Sequence, residues 1–338
     1  MVRSCTKIRI GSRMVGDGEP AFIIAEAGLN HDGKLAQAKR LIEYAAEAGA
    51  DAVKFQIYTA EELYGKNGAL FALFKSLEFS KDKWLELADF AKGHDIVFTA
   101  SVFGEGSVDL LETIGSPMFK IASGDLTYVP LLDYVAKKDR PIVLSTGMAT
   151  LGEIEDALNE IYEAGTRSVV LMHCVSTYPT AYEDANLRAI KTLKYAFGLP
   201  VGFSDHTEGT LLPVVAVALG ANAIEKHLTP DRTLPGPDHL LSLEPLEFRA
   251  MVEQIRLAEQ ALGDGIKKPT AAEREIRDQA RRFITAKNDI AAGATINRDM
   301  VKMVRSNPAI EPKFVNLIIG RTARRAIAKD QGITWQDV

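Results

Sequence analysis

The chain has 338 residues and a formal net charge of −5, and 46% of its residues are hydrophobic and 25% charged. This composition is typical of a globular protein, and the length suits one barrel with a small additional domain. No acidic or basic tail stands out, which argues against nucleic acid or a membrane surface as a partner. An anionic substrate would therefore need a local basic pocket.

The N-terminal segment and the cysteines bear on where the protein resides. The segment MVRSCTKIRIGSRM lacks the apolar core of a signal peptide, and the longest apolar run, residues 211–219, is far too short to span a membrane. The two cysteines, Cys5 and Cys174, form neither a metal-binding spacing nor a disulfide framework. We therefore expect a reduced, cytoplasmic protein.

Short apolar runs rich in β-branched residues alternate with longer amphipathic stretches along most of the chain. The amphipathic stretches have the 3.6-residue period of helices. We expect Gly49 to end the first helix, Ser80 to cap the next, Thr150 and Glu153 to form a capping box, and residues 244–262 to form the last helix. Eight runs are predicted to be strands, namely residues 22–26, 52–57, 96–101, 118–123, 141–146, 168–173, 200–205 and 222–227.

Eight strand–helix units in succession predict an α/β protein with a (β/α)8, or TIM, barrel. An open, doubly wound sheet is the main alternative, and the absence of a Gly-x-Gly-x-x-Gly motif after the first strand argues against it. The sequence becomes polar after Leu262 and then reads as short strands and turns. We therefore predict a barrel domain over residues 1–262, a linker over residues 263–280 and a small domain over residues 281–338.

Polar side chains occur at the ends of the predicted strands, where barrel enzymes hold their active sites. Five of the six histidines, all but His94, fall on or just after these ends. The strand-end residues are Glu26, Lys54, Gln56, Ser101, Lys120, Ser123, Ser145, His173, Ser204, Asp205, His206, Glu225, Lys226 and His227.

Two of the histidines are candidate metal ligands. Because side chains two residues apart on a strand point to the same face, His206 and His227 can converge from the last two strands. Two neutral imidazoles would make a partial metal shell with open positions. Two hydrogen-bonded polar histidines without a metal are the alternative.

Lys54 and Lys120 lie in otherwise apolar strands, and lysine is rarely buried without a partner. They could bind a phosphate or carboxylate with the help of nearby serine hydroxyls, or one of them could form a Schiff base. A third interpretation is a buried ion pair with Glu26 or Glu225. Two lysines among several small hydroxyl residues favour an anion site over a single covalent lysine.

Two loops add polar groups near the predicted barrel mouth. Tyr178 lies in HCVSTYPT, and Asp238 lies in the proline-rich loop PGPDHLLSLEP. Loops that carry polar side chains at a barrel mouth often position substrate. Asp32 and Asp205 are equally suited to turns or caps, and we assign them no catalytic role.

Eight short motifs occur in order along the chain: AEAGLNHDG, VKFQ, FKIASGD, LSTGM, HCVSTYPT, GFSDHT, EKHLT and PGPD. Together they resemble the N-acetylneuraminate (sialic acid) synthase family, which includes the legionaminate and pseudaminate synthases. Residues 281–338 resemble that family's antifreeze-like, or SAF, domain. The resemblance extends from about residue 20 to residue 335.

The resemblance implies a reaction and its requirements. Members of the family condense phosphoenolpyruvate (PEP) with an N-acetylated hexosamine, either N-acetylmannosamine or a 2,4-diacetamido-trideoxyhexose, and release phosphate and a nine-carbon 2-keto acid. They use a divalent cation, most often Mn2+, with Mg2+ or Co2+ as alternatives. They form homodimers in which the SAF domain of one chain covers the barrel mouth of the other.

The resemblance also implies roles for individual residues. His206 and His227 match the metal ligands, while Glu26 could act as a base or only orient the sugar and water. The residues that match the PEP site are Lys54, Ser101, Lys120, Ser123, Ser145 and Ser204. The residues that match the amino-sugar site are Glu26, Gln56, Tyr178 and Asp238.

Three departures from the family pattern fall near the expected substrates. Asp125 stands where the family often has Glu, and Ala328 stands where sialic acid synthases carry an Arg in the SAF domain. Arg321, Arg324 and Arg325 lie near that position. The segment 63–79, in which Asn67 is a candidate sugar contact, is more apolar than the family's substrate loops. The last two departures, in the SAF domain and in the segment 63–79, leave the identity of the sugar open.

Two other functions have some basis in the sequence. A Schiff-base aldolase would use Lys54, Lys120 or Lys226 and would not need a metal. A non-catalytic protein that binds glycans or ice would rest on the resemblance of the C-terminal segment alone. The complete set of lysines and histidines argues against this last interpretation.

Overall fold

The computed structural model describes residues 7–66 and 68–338, which separate into two compact units, Met1–Gly263 and Asp264–Val338. Cys5 and Asn67 lie outside the described residues. No helix in the described part of the chain is long and apolar enough to cross a membrane.

An antiparallel hairpin, β1 (Ile8–Ile10) and β2 (Arg13–Val15), precedes the barrel. Its buried side chains pack against Phe22, Ile24 and Met118 at the N-terminal ends of barrel strands. The hairpin thus closes the lower end of the barrel. The sequence did not predict it, because strands of three residues are too short to show an alternating pattern.

Eight parallel strands form a closed barrel, which confirms the predicted fold and excludes the open sheet. The ring closes where the last strand pairs with the first, with His227 opposite Glu26. Each strand agrees with its predicted bounds to within two residues. The strands are β3 (Phe22–Gly28), β4 (Ala52–Ile57), β5 (Val97–Val102), β6 (Phe119–Ile121), β7 (Ile142–Ser145), β8 (Val169–Cys174), β9 (Val201–Asp205) and β10 (Ala223–His227).

Helices follow the strands and pack around the barrel. The predicted capping box is present, since Glu153 N donates to Thr150 Oγ1 at 3.3 Å and Thr150 N donates to Glu153 Oε2 at 2.7 Å. The helices are α1 (Leu35–Glu47), α2 (Ala60–Leu63), α3 (Ala69–Leu77), α4 (Lys81–Gly93), α5 (Glu105–Ile114), α6 (Val129–Ala136), α7 (Leu151–Ala164), α8 (Ala189–Phe197), α9 (Leu211–Ala218) and α10 (Pro245–Leu262).

The barrel interior changes character along its axis. Near the N-terminal ends of the strands it is filled by apolar side chains such as Ile24 and Val143. Two residues further along the same strands, Glu26 and Ser145 are buried polar groups. Since side chains two residues apart share a face, each strand delivers a polar group just above the apolar core.

The C-terminal unit has its own small core, which includes Ile284, Ile296 and Ile333. Its elements are α11 (Ala271–Ala280), β11 (Arg282–Ala286), β12 (Val301–Arg305) and α12 (Val315–Ile318), and the two strands pair antiparallel. Short strands and turns are what the sequence predicts there. The segment 263–280, predicted as a linker, contains α11, and every residue of that helix is exposed.

Candidate active site

A cavity of about 570 Å³ opens at the C-terminal ends of the barrel strands. Its size is typical of sites for small molecules. Its lining includes the twelve residues that match the family's metal, PEP and amino-sugar sites: Glu26, Lys54, Gln56, Ser101, Lys120, Ser123, Ser145, Tyr178, Ser204, His206, His227 and Asp238.

Two buried lysines and two buried glutamates form a chain of charges at the base of the cavity. Lys54 Nζ lies 2.6 Å from Glu26 Oε2 and 3.7 Å from Glu225 Oε1, and Lys120 Nζ lies 3.2 Å from the same Glu225 oxygen. The ion-pair interpretation of the lysines is therefore correct for this structure. Because all four side chains also line the cavity, the pairing does not exclude an anion site.

Serine hydroxyls complete the surroundings of these charges. Lys54 Nζ donates to Ser101 Oγ at 3.1 Å, and Lys120 Nζ donates to Ser145 Oγ at 2.8 Å. Ser204 Oγ donates to Glu225 Oε1 at 2.9 Å. The parallel register makes these contacts possible, since Ser204 lies directly opposite Glu225 on the neighbouring strand.

Burial and the ion pairs set the pKa values of the four charged groups. Burial raises the pKa of Glu26 to about 7, against the opposing effect of the Lys54 ammonium. Burial alone would also raise the pKa of Glu225, but Lys120 and Lys54 outweigh it and hold the pKa of Glu225 low. For Lys54, burial opposes the charged form, yet the two glutamates raise its pKa, whereas burial lowers the pKa of Lys120. Glu26 is thus the group poised to exchange a proton near neutral pH.

His206 and His227 meet at one side of the cavity, with ring centroids 5.5 Å apart. His206 Nδ1 is 2.7 Å from the carbonyl of Val175, which leaves Nε2 as the acceptor. His227 Nδ1 is buried without a hydrogen-bond partner and lies 3.8 Å from Asp238 Oδ2. Burial lowers the pKa of both imidazoles, so both are neutral and able to bind a metal ion.

A divalent cation fits these two histidines. Within residues 7–66 and 68–338, no group of three or more His, Cys, Asp and Glu side chains is arranged to hold a metal ion. Two imidazoles would therefore be the protein's share of the ligands, with the remainder supplied by water or substrate, as in open catalytic sites. His227 Nδ1, which has no hydrogen-bond partner, lies close to the Asp238 carboxylate. In many metal sites a carboxylate in this position orients the imidazole that binds the metal.

Three further predicted residues lie on loops or at a strand end. Ser123 is in a 3-10 turn just beyond β6, where its Oγ accepts from Gly147 N at 3.0 Å and lies 3.1 Å from Cys174 Sγ. The Tyr178 ring lies against His206 with a centroid distance of 4.2 Å and a tilt of 39° between the ring planes. Gln56 is half-buried at the end of β4.

Gly28 explains how Asp238 reaches the cavity. The register of β3 shifts between Glu26 and Gly28, and Gly28 has a positive φ of 48°. A Cβ at this position would lie 2.9 Å from Asp238 Oδ2 and 3.3 Å from Glu26 Oε1. Glycine therefore lets the loop after β10 approach the end of β3, and burial then raises the pKa of Asp238.

Other strand-end residues are buried away from the cavity. His31, one of the five histidines on or just after a predicted strand end, packs against Phe79 at a ring-centroid distance of 4.4 Å, and His173 Nε2 is 2.8 Å from the carbonyl of Ala185. Lys226 forms a fully buried pair with Asp205 at 2.7 Å. Lys226 is absent from the cavity lining, which removes it as a Schiff-base candidate.

The three departures from the family pattern have these locations. Asp125 ends the 3-10 turn that begins at Ser123, and burial raises its pKa to about 6. In the C-terminal unit, Ala328 is exposed, Arg325 pairs with Asp337 and Arg321 lies over the Trp335 ring. The segment 63–79 contributes apolar side chains to the cavity wall.

Sequence reasoning gave no role to several lining residues. Glu225, which the sequence offers only as an ion-pair partner of the lysines, could also have been assigned to the active-site lining, because it is two residues before His227 on the same strand and so shares its face. Helix α3 offered no comparable signal, since Leu70, Leu73 and Phe74 have the helical spacing of an ordinary core-facing helix.

A larger cavity of about 780 Å³ lies among residues at the opposite, N-terminal ends of the strands. Its charged groups are already paired, as in the contact of 3.0 Å between Arg256 Nη1 and Glu259 Oε1. Barrel enzymes carry their chemistry at the other end, so the upper cavity is the candidate active site.

Comparisons with known proteins bear on the family to which the chain belongs. A model of the NeuB family matches residues 41–267, and a model of the SAF domain matches residues 281–338. The resemblance stated from the motifs is thereby confirmed.

Two curated relatives and one solved structure align with most of the chain. An uncharacterized protein of Methanocaldococcus jannaschii is 48% identical, with 98% of each chain covered. The N,N'-diacetyllegionaminic acid synthase of Legionella pneumophila is 40% identical, with 97% of each chain covered. The crystal structure of N-acetylneuraminic acid (sialic acid) synthetase from Leptospira borgpetersenii, in complex with citrate, is 41% identical and superposes with a TM-score of 0.78 over 82% of this chain and 97% of that one.

Proposed function

The chain belongs to the NeuB family, and on this basis we propose that it is a nonulosonic acid synthase that condenses PEP with an N-acetylated amino sugar. The products would be a nine-carbon, sialic-acid-like 2-keto acid and phosphate. The observation that carries the proposal is the placement of Lys54 and Lys120 with Ser101 and Ser145 at the base of a cavity that also contains two neutral histidines.

PEP suits the charged base of the cavity. Its phosphate and carboxylate need cationic and hydroxyl donors, which Lys54, Lys120 and their serine partners provide. Lys54 holds its proton firmly, since the neighbouring glutamates raise its pKa. PEP would thus replace part of the carboxylate contacts that the lysines make in the free protein.

The charges of the cavity lining and of PEP together favour a bound divalent cation, which we propose is Mn2+. The described lining contains two lysines against three carboxyl groups, those of Glu26, Glu225 and Asp238, of which Glu26, with a pKa of about 7, is only partly ionised at neutral pH. Adding PEP, whose phosphate alone carries roughly −1.5 to −2, would leave a large excess of negative charge. His206 and His227 would hold the cation, which when bound supplies a Lewis acid for the aldehyde of the amino sugar.

The reaction joins two carbons and releases phosphate. The methylene carbon of PEP attacks the aldehyde carbon, and water adds to the cation that results at C2. The tetrahedral intermediate then loses phosphate and forms the 2-keto group. Lys54 and Lys120 hold the phosphate and carboxylate in place, while Gln56, Tyr178 and Asp238 orient the sugar beside them.

We assign Glu26 the proton transfer that accompanies the addition of water. The water that adds at C2 loses one proton as it becomes a hydroxyl and the second as the 2-keto group forms, while the aldehyde oxygen gains one proton and the departing phosphate gains the other. Burial raises the pKa of Glu26 to about 7, the range in which a carboxyl group can both accept and return a proton. Its position beside Lys54 places it next to the PEP that the lysine would hold.

We further propose that the protein is cytoplasmic and forms a homodimer in which the SAF domain of one chain covers the barrel mouth of the other. The charge distribution supports such an arrangement, because residues 264–338 contain fifteen Lys and Arg against nine Asp and Glu, whereas the chain as a whole is negative. Light scattering on the purified protein tests the homodimer, and the mass of a monomer would contradict it.

The assay for the proposed function is phosphate release from PEP in the presence of Mn2+ and candidate acceptors. We expect release with at least one N-acetylated hexosamine, including the 2,4-diacetamido sugars. No release with any of them would contradict the proposal. A Schiff-base mechanism would instead survive EDTA and would be trapped by borohydride with pyruvate.

A further inference from the structure

The loop between β10 and α10 carries Asp238 into the active-site cavity. We call residues 228–244 the β10–α10 loop. Its two ends pair with each other, since Thr229 N donates to the carbonyl of Leu243 at 3.0 Å and Leu243 N donates to the carbonyl of His227 at 2.9 Å. This pairing fixes the ends of the loop, so other contacts must hold residues 230–242 in place.

His239 supplies such contacts from inside the loop. Its side chain is 1% exposed, with Nε2 3.1 Å from Asp32 Oδ1 and Nδ1 2.6 Å from Thr229 Oγ1. Because a carboxylate only accepts hydrogen bonds, Nε2 donates to Asp32. Asp32 lies in the loop after β3 and Thr229 follows β10, so His239 connects the ends of the first and last barrel strands.

The local backbone favours the contact between His239 and Asp32. Asp32 has a positive φ of 51°, a conformation that Asp tolerates, and its Oδ2 accepts from Gln37 Nε2 at 2.8 Å. Gly236 passes over the pair, since a Cβ at this position would lie 2.7 Å from His239 Cδ2 and 3.6 Å from Asp32 Oδ1. The β10–α10 loop thus folds back over His239 and encloses its side chain.

Thr229, His239 and Asp32 have the order hydroxyl, imidazole and carboxylate that many nucleophilic enzymes use. They cannot act in that way here, because none of the three lines the active-site cavity and Thr229 is fully buried. Thr229 Oγ1 also accepts from Asp231 N at 3.2 Å, which holds the hydroxyl within the loop. The contacts of His239 therefore fix the loop and do not form a second catalytic site.

A further contact fixes the main chain at Asp238. Its carbonyl accepts from Ser242 Oγ at 2.5 Å, and Ser242 Oγ accepts from Asn30 Nδ2 at 2.9 Å. Asn30 lies in the same loop after β3 as Asp32. Asp238 is therefore held by two connections to that loop, one through its own carbonyl and one through His239, the next residue.

We propose that His239 is a positioning residue, which holds the Asp238 carboxylate in the cavity by joining the loops after β3 and β10. There the carboxylate orients the amino sugar and the ring of His227, whose Nδ1 is 3.8 Å from Asp238 Oδ2. Lys54 and Lys120 lie on other strands and do not depend on this contact. The inference rests on the proposed function and adds a residue outside the cavity lining to its machinery.

The first test replaces His239 in the full-length protein and measures phosphate release with PEP, Mn2+ and either N-acetylmannosamine or a 2,4-diacetamido-trideoxyhexose. His239→Leu removes both hydrogen bonds, whereas His239→Gln keeps an amide that can donate to Asp32. We expect the KM for the sugar to rise by about 10-fold in His239→Leu and less in His239→Gln, with the KM for PEP unchanged in both. A purely structural role would lower stability without separating the two KM values.

The matched control is His94→Leu, the same change at an exposed histidine outside the cavity lining, and it should alter neither KM. An unchanged KM for the sugar in His239→Leu would overturn the inference and leave the proposed function intact. Absence of phosphate release by the unaltered protein with every acceptor would overturn the proposed function, and with it the role of Asp238 towards the sugar.

The second test needs no turnover. In His239→Leu we expect the amides of residues 230–242 to exchange hydrogen at least ~10-fold faster than in the unaltered protein, measured by mass spectrometry of the peptides. The affinity for Mn2+, measured by titration calorimetry, should fall by about 10-fold, because Asp238 no longer orients the ring of His227. Neither quantity should change in His94→Leu.

Asp32→Asn tests the same connection from its other end and replaces His239→Leu if that variant does not fold. Asp32 is half-buried, and Asn tolerates its positive φ. The amide has a single acceptor oxygen, so it cannot accept from both His239 and Gln37. We expect hydrogen exchange in residues 230–242 to rise by about 3-fold or more. Unchanged exchange in the folded variants would overturn the positioning role, whatever the activity.

Discussion

Lys54 Nζ and Glu26 Oε2 lie 2.6 Å apart, and both side chains are almost completely buried at the end of the first two barrel strands. The two residues are opposite each other in the parallel register of β3 and β4. Neither group could be buried alone without a large desolvation penalty. Their pairing keeps a cation and a proton-exchanging carboxyl group side by side beneath the cavity.

Replacing Glu26 tests its assignment to proton transfer. In Glu26→Gln the amide keeps the shape but cannot exchange a proton, so we expect kcat to fall by about 100-fold or more with little change in either KM. Steady-state phosphate release measures both quantities. If Glu26 only holds the sugar, the KM for the sugar would rise instead and kcat would be largely retained.

Glu225 is expected to stabilise the free protein by separating two cations. Glu225→Gln would leave Lys54 and Lys120 without the carboxylate oxygen that now lies 3.7 Å and 3.2 Å from their ammonium groups. Breaking a buried pair in this way costs about 3 kcal/mol of unfolding free energy. Urea denaturation at pH 7 measures the change.

PEP should partly restore the stability of that variant, because its negative charges would take the place of the missing carboxylate. We expect a larger PEP-induced rise in Tm for Glu225→Gln than for the unaltered protein. Lys191→Gln, at an exposed position on the outer helix α8, serves as a control. It should change neither the unfolding free energy nor the PEP-induced rise in Tm. Equal stability of Glu225→Gln and the unaltered protein would show that the two lysines do not depend on this carboxylate.

Removal of divalent metal should abolish turnover without unfolding the protein. Contacts within the barrel domain position the two histidines, His206 through the carbonyl of Val175 and His227 next to Asp238. We therefore expect EDTA to eliminate phosphate release and Mn2+ to restore it, with the circular dichroism spectrum unchanged throughout. His206→Ala and His227→Ala should weaken Mn2+ binding, which titration calorimetry can measure apart from activity. Full activity in EDTA would contradict the metal assignment.

The stability of the barrel should depend on pH through His31. Burial against Phe79 and Trp84 lowers the pKa of His31 to about 4 from an ordinary value near 6.5. The unfolded chain therefore takes up the proton first as the pH falls, so stability is full above about pH 6.5 and declines towards pH 4. The shift corresponds to about 3 kcal/mol. His31→Gln should flatten this part of the unfolding free energy against pH, and an unaltered slope would contradict the prediction.

The sequence predicted the barrel and most of the residues that line the candidate active site for a physical reason. Each strand must change from apolar to polar where the core ends, and that change is visible in the sequence at Glu26, Lys54, Lys120 and His227. The two-residue period then indicates which of these groups share a face. The eight ordered motifs, through their resemblance to a known family, added the role expected of each residue.

Other features depend on contacts that no local pattern reveals. His31 and His206 both follow the end of a barrel strand, but aromatic side chains surround the imidazole of His31, whereas that of His206 lines the cavity. Glu225 forms ion pairs with Lys54 and Lys120, which are distant from it in the sequence. Helix α3 has the pattern of a core helix, yet it presents Leu70 and Leu73 to the cavity.

The most direct test of the account is to identify the product made by the purified protein from PEP, Mn2+ and a 2,4-diacetamido-trideoxyhexose. We predict a nine-carbon 2-keto acid, detected by mass spectrometry, formed in a 1:1 ratio with released phosphate and lost on addition of EDTA. Phosphate release without the 2-keto acid, or no reaction with this sugar and with N-acetylmannosamine, would contradict the account.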